Sequence, residues 1–296
     1  MRVIRAGILG FCSGVSRAVE MAWNETEEVN KGAGSKNVYT LGPLIHNPAV
    51  LKVLGERGIR VLNDEFLPLE AMDSTVIIRA HGVSPAVEKK FSRHGLRILD
   101  ATCPHVKESQ KKALGYAEKG FKVFLAGEEN HGEIAGIRGY AEAGPPGSAC
   151  FVVGSPEQAE EAAAEIYWKN QNASTVLIGQ TTFSADGYKA IAAAIQKYFP
   201  RLVILNTICS ATADRQRALK ELSGKADALI IAGGKDSSNT RRLLSLAQEL
   251  KKPAWIVESP GGIPPEAGKY GTIGLCAGAS TPDSLIDEIE EVLSSF

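Results

Sequence analysis

Short apolar runs that read as strands alternate along the chain with longer stretches in which apolar and charged residues are spaced as on amphipathic helices. The alternation repeats three times. Ala6-Gly-Ile-Leu-Gly-Phe-Cys12, Leu96-Arg-Ile-Leu-Asp-Ala-Thr-Cys103 and Leu202-Val-Ile-Leu-Asn-Thr-Ile-Cys209 each join an apolar run to a cysteine. Helical patterns follow over 15–23, 106–117 and 213–222, so each cysteine is predicted where a strand gives way to a helix. A second strand in each repeat runs into a polar loop. These loops carry His46, His131-Gly-Glu133 and Ser237-Ser-Asn239, at 34, 28 and 28 residues after their cysteines. A further strand, over 75–78, 175–178 and 272–275, feeds loops carrying His81, Thr181 and Ser280, and runs at 59–62, 151–153 and 254–257 add one more strand to each repeat.

This phasing predicts an α/β protein of three pseudo-equivalent βα modules, over about 1–96, 97–201 and 202–296, holding Cys12, Cys103 and Cys209 respectively. Asn47-Pro48, Ser84-Pro85, Ser155-Pro156 and Thr281-Pro282 each place a capping side chain before a proline, which marks four helix starts. In parallel βαβ units the ligand loops gather at the carboxyl ends of the strands, so three inward-facing edges would surround one central site.

Charge and composition narrow the function. Among 296 residues, 33 basic against 34 acidic side chains leave a net charge of −1, which gives no footprint for nucleic acid or an anionic membrane. No apolar run approaches the roughly 20 residues of a bilayer span, and no signal-peptide pattern is read, so a cytoplasmic location is expected. Five cysteines without local pairing motifs fit reduced thiols better than a disulfide framework.

Taken singly, a cysteine is usually a small buried hydrophobe. Repetition separates Cys12, Cys103 and Cys209 from Cys150 and Cys276, which begin or lie inside apolar strands and are assigned to structure. Zinc sites usually draw on Cys-x-x-Cys knuckles, and the chain has none. Three thiolates from three modules instead suit a four-iron cluster that keeps one iron open as a Lewis acid and electron relay.

The segment Gly233-Gly-Lys-Asp-Ser-Ser-Asn239 follows a strand and opens a helix, offering side-chain donors beside unpaired amides for a phosphate. His46, His81 and Ser280 occupy comparable loops, and an anion beside imidazole favours its charged, donating form. Glu133 is the only carboxylate in the three loop tips and the natural proton carrier. His94 precedes a glycine in a helix-ending context and His105 has no counterpart in the other repeats, so both are left outside the site. Nucleotide binding is weakly supported, because Gly7, Gly10 and Gly14 do not match Gly-x-Gly-x-x-Gly.

The segments Gly10-Phe-Cys-Ser-Gly-Val15, Gly42-Pro-Leu-Ile-His-Asn47, Ala80-His-Gly-Val83, Asp100-Ala-Thr-Cys-Pro104, His131-Gly-Glu133, Gln180-Thr-Thr182, Ile208-Cys209, Ser237-Ser-Asn239 and Ala277-Gly-Ala-Ser280 together resemble the 4-hydroxy-3-methylbut-2-enyl diphosphate reductase family along the whole chain. The resemblance implies a trefoil of the three modules around one [4Fe-4S] cluster held by Cys12, Cys103 and Cys209. It implies diphosphate contacts from His46, His81, Ser237, Ser238, Asn239 and Ser280, further substrate contacts from His131 and Thr181, and proton donation by Glu133. The expected reaction takes up two electrons and two protons, and removes the hydroxyl of the allylic diphosphate substrate as water at the open iron. It yields isopentenyl and dimethylallyl diphosphates, with ferredoxin or flavodoxin as external electron donor. Two departures stand out: Gly132 replaces the commoner proline, and His105 occupies a usually apolar position. A cluster-dependent dehydratase or synthase, and a non-catalytic iron-sulfur sensor, are the competing expectations.

Overall fold

The computed structural model describes residues 1–32, 37–63 and 71–296. Twelve strands and ten α-helices alternate along these residues: β1 (Arg2–Arg5), α1 (Ser13–Asn30), β2 (Val38–Leu41), α2 (Pro48–Glu56), β3 (Arg60–Leu62), β4 (Thr75–Ile78), α3 (Pro85–Ser92), β5 (Arg97–Asp100), α4 (Pro104–Glu118), β6 (Lys122–Ala126), α5 (Gly132–Glu142), β7 (Cys150–Val153), α6 (Pro156–Lys169), β8 (Thr175–Gly179), α7 (Ala185–Gln196), β9 (Val203–Ile204), α8 (Ser210–Ser223), β10 (Ala228–Ala232), α9 (Ser238–Glu249), β11 (Ala254–Val257), β12 (Thr272–Ala277) and α10 (Asp283–Ser295). The strands form three four-stranded sheets, as the repeat predicts. No helix among the described residues is long and apolar enough to cross a membrane.

The chain divides into two compact units, Met1–Val61 with Ser210–Phe296, and Leu62–Cys209. In the first, parallel strands run in the order β1-β12-β10-β11. Their side chains alternate between two cores. Ile230, Ile273 and Leu275 pack with Ile286 and Ile289 of α10, while Leu229 and Ile231 pack with Leu219 and Leu222 of α8 and Leu246 of α9. The second unit holds the parallel order β7-β6-β8-β9. Phe124 and Leu177 face Ile191 and Ile195 of α7, and Val123, Leu125 and Ile178 face Ala113 of α4 and Ile134 and Ile137 of α5. Both faces of the central strands are therefore covered, which is why β8 and β10 are buried from end to end. The third sheet contains β2, β3, β4 and β5, with β4 paired in parallel to β5.

Three local expectations change. The first strand lies at Arg2–Arg5 and not in the apolar run from Ala6, which carries Gly7 and a left-handed Gly10 with φ of 81°. Its charges are tolerated because this is an edge strand and Arg5 pairs with Asp287 at 2.7 Å and with Glu290 on α10. Asn47, Ser84 and Ser155 accept amide hydrogens at the starts of α2, α3 and α6 as expected. Thr281 does not cap α10: its hydroxyl donates to the Ala232 carbonyl at 2.9 Å, and the helix begins at Asp283. The sheets also cut the chain at places other than 96/97 and 201/202. Strands β1, β5 and β9, which lead to Cys12, Cys103 and Cys209, are edge strands paired with β12, β4 and β8.

Candidate active site

The three repeated cysteines share one backbone arrangement. Cys12 and Cys103 occupy the N-cap positions of α1 and α4 without side-chain capping bonds, and Cys209 directly precedes α8. Each donates its N–H to a carbonyl in the loop after the neighbouring strand: Cys12 to Ala279 at 3.0 Å, Cys103 to Ala80 at 2.9 Å and Cys209 to Thr181 at 2.9 Å. Those loops carry Ser280, His81 and Thr181. All three cysteines are partly exposed at helix starts, where amide dipoles favour an anionic ligand. Burial pushes the thiols of Cys150 and Cys276 up to about 12, and Cys276 donates to the Ile230 carbonyl. Those two thiols stay protonated and structural.

The first unit brings together His46, Ser237, Ser238, Asn239 and Ser280. Ser280 Oγ donates to the His46 carbonyl at 3.3 Å, and a methyl group at Gly234 would approach that same carbonyl to 2.6 Å, so only glycine fits there. Ser237 caps α9 by accepting the Thr240 N–H at 3.4 Å. Asn239 is 4% exposed, yet neither its amide nitrogen nor its amide oxygen has a hydrogen-bond partner among the described residues. A buried amide in that condition is costly unless a ligand satisfies it. Together with the helix start, it makes this loop a cradle for an anion.

The second unit brings together His81, His131, Glu133 and Thr181. His131 is the N-cap of α5, and its Nδ1 accepts the Glu133 N–H at 3.2 Å, which leaves the ring proton on Nε2. The His81 and His131 rings meet edge to face with centroids 5.2 Å apart. Glu133 is 1% exposed; its Oε1 accepts the Thr181 N–H at 2.6 Å, and its Oε2 lies 2.8 Å from the Thr181 hydroxyl. Burial raises this carboxyl to about 7, against the opposing pull of the two Thr181 bonds. Near neutral pH it therefore holds a transferable proton. That proton belongs on Oε2, because Oε1 is committed to an amide donor.

Several supporting residues, among them Arg215 and Gln110, carry no sequence signal, and Gln180 reads only as part of a loop motif. The buried Arg215 donates to the Gly10 carbonyl at 2.6 Å and so fixes the loop leading to Cys12. Gln180 accepts the Glu128 N–H at 3.0 Å and donates to Thr182 at 2.8 Å, bracing the Thr181 loop. Gln110 donates to the Val83 carbonyl at 3.3 Å. A long polar side chain on a helix looks solvated in sequence, and only its depth shows otherwise. His94, by contrast, is exposed and bonded to its own helix through Lys90, and His105 is exposed.

Residues 3–294 match the family described as LytB protein. The chain belongs to the LytB family. It is 44% identical over 297 residues to the 4-hydroxy-3-methylbut-2-enyl diphosphate reductase of Treponema denticola, covering 99% of both chains. It is 36% identical to the reductase of the same name from Caldanaerobacter subterraneus, covering 100% of this chain and 98% of that protein. Among solved structures, a Plasmodium falciparum E-1-hydroxy-2-methyl-but-2-enyl-4-diphosphate reductase superposes with a TM-score of 0.86 at 26% identity, covering 99% of this chain and 88% of that one. A second solved structure, of an (E)-4-hydroxy-3-methyl-but-2-enyl diphosphate reductase, the terminal enzyme of the non-mevalonate pathway, gives 0.69 at 35% identity over the full length of both chains. As a LytB member the chain is an enzyme of this reductase family, and its βα modules correspond to the fold of those structures.

Burial of Glu133 has a measurable cost with a definite sign. A carboxyl raised to about 7 in the folded state contributes its full stability below the ordinary value of 4.5, and loses it as pH rises through about 7. Glu133→Gln does not titrate and preserves both Thr181 contacts. Its stability relative to the parent should therefore increase by about 2–3 kcal/mol between about pH 5 and pH 8 in chemical unfolding. A difference that stays constant with pH contradicts the neutral buried acid.

Proposed function

We propose that this LytB chain reductively dehydroxylates (E)-4-hydroxy-3-methylbut-2-enyl diphosphate to isopentenyl and dimethylallyl diphosphates. The names of its relatives supply the substrate class, and the observation that carries the reading is the buried carboxyl of Glu133, raised to about 7 and joined to Thr181 through both oxygens.

Cys12, Cys103 and Cys209 fit an iron-sulfur cofactor, and in this reading they hold one [4Fe-4S] cluster. Support comes from their matching helix-start positions, set against the strand positions of Cys150 and Cys276, whose thiols burial pushes up to about 12. When bound, such a cluster supplies single electrons and Lewis acidity to the leaving oxygen.

The protein's own task is to place the substrate and manage protons. In the proposed role, Ser237, Ser238 and Asn239 at the start of α9, with His46 and Ser280, hold the diphosphate, and Asn239 gains the partners its buried amide otherwise lacks. His81 is proposed as a further diphosphate contact and His131 as a further substrate contact. Glu133 passes its Oε2 proton to Thr181 Oγ, and the Thr181 hydroxyl passes its own proton to the substrate hydroxyl, so that water leaves. Two electrons and a second proton, delivered to either end of the allyl fragment, balance the reaction and give the two isomeric products. The electrons come from an external donor such as ferredoxin or flavodoxin, in the cytoplasm. A dehydratase or synthase would need no net electrons, and a sensor would not turn the substrate over.

Replacing Cys103 by serine should abolish most of the bound iron and sulfide, whereas Cys150→Ser should keep them. Iron analysis of folded protein decides this, and full iron content in the Cys103 variant contradicts the ligand assignment. Glu133→Gln should retain iron and bind the diphosphate with unchanged affinity by calorimetry, while anaerobic turnover drops by about 100-fold or more. Turnover at the parental rate in that variant removes Glu133 from the proton path.

A further inference from the structure

Helix α5 carries glycines at 132, 136 and 139, a spacing that puts all three on one side of the helix, although glycine weakens helices. The segment from Arg79 to Ser84, which contains His81, lies along that side. The Arg79 guanidinium covers Gly132, where a methyl group would meet Nη2 at 3.2 Å, Cζ at 3.4 Å and Nε at 3.4 Å. At Gly136 a methyl group would touch the carbonyl carbons of Gly82 and Val83 at 3.6 Å. At Gly139 it would collide with Ser84 Cβ and reach Ser84 Cα at 3.2 Å. The loop backbone thus lies close to the helix at Gly136, beside the Gln110 amide that the same methyl group would meet at 3.2 Å, and at Gly139, while at Gly132 the Arg79 side chain lies over it.

We propose that the glycine face of α5 is a positioning surface that sets His81 against His131 and Glu133, with Gly139 and Ser84 as the positioning pair furthest from the reacting groups. The proposal rests on the proton-donor role given above to Glu133. Helix α5 starts with His131 and Glu133, so any displacement of the 79–84 segment from its glycines moves His81 relative to both. The edge-to-face contact of the two rings, with centroids 5.2 Å apart, is the local consequence. A helix contact six residues from Glu133 can in this way govern chemistry it never touches, since misplacing a reacting group by about 1 Å costs on the order of 100-fold in rate.

The collision at Gly139 involves one atom that can be deleted, which makes the test reciprocal. In the cluster-loaded enzyme, Gly139→Ala should lower kcat by about 10- to 100-fold with KM changed less than about threefold. Ser84→Gly should be close to parental, because glycine is nearly as good as serine at an N-cap. The double variant S84G/G139A should regain most of the lost kcat. Ring-proton chemical shifts of His81 and His131, read on the same proteins, should move in Gly139→Ala and return in the double variant. These shifts report positioning even if the parent does not turn the substrate over, so failure of the functional reading is told apart from failure of this one. Parental kcat and unmoved histidine shifts in Gly139→Ala overturn the proposal. So does a double variant that is no faster than Gly139→Ala, or that fails to fold.

Discussion

One repeated hydrogen bond organises the chemistry of this chain: the N–H of each helix-starting cysteine donates to a carbonyl in the loop that ends the adjacent parallel strand. Because Cys12, Cys103 and Cys209 each follow an edge strand, the neighbouring strand's carboxyl end is next to them by construction. The bond then ties a thiol-bearing residue to a loop bearing Ser280, His81 or Thr181. Parallel pairing makes this possible, since it brings strand ends of the same polarity side by side. A backbone bond of this kind does not use the thiol, so the thiols can serve a cofactor without also holding the loops together.

Around that frame the two units carry different chemistry. The first offers donors: the start of α9, the unsatisfied amide of Asn239, and the Ser280 hydroxyl beside the His46 carbonyl. The second offers an acid, and its strength is set by depth. Thr181 alone would stabilise the carboxylate of Glu133, yet burial outweighs both bonds and leaves the group near 7. His131, whose Nδ1 is engaged by the Glu133 amide, orients the start of α5 and not the proton.

Much of this was legible in the sequence because the repeat is phased. Short continuous apolar runs, which suit strands buried on both faces, cysteines before helical patterns, and Asn-Pro or Ser-Pro caps located most elements and the loops from which the site is proposed. The cut between modules was not legible, because a cyclic repeat looks the same whether it is divided before or after the cysteine strand. Pairing alone shows that β1 joins β12 and that β5 joins β4. The first strand was misplaced because hydrophobicity points to Ala6–Leu9, while an edge strand admits Arg2 and Arg5 when α10 supplies carboxylates. Residues that act through depth, such as Arg215 and Gln110, carry no pattern at all, and neither does the fit of Gly139 against Ser84.

The account stands most directly on an anaerobic turnover measurement with the parental, cluster-loaded chain, (E)-4-hydroxy-3-methylbut-2-enyl diphosphate and a chemical reductant whose oxidation is followed optically. Two electrons should be consumed per hydroxyl lost, with isopentenyl and dimethylallyl diphosphates together accounting for the substrate. Product formed without electron uptake, or no product from protein of full iron content, contradicts it.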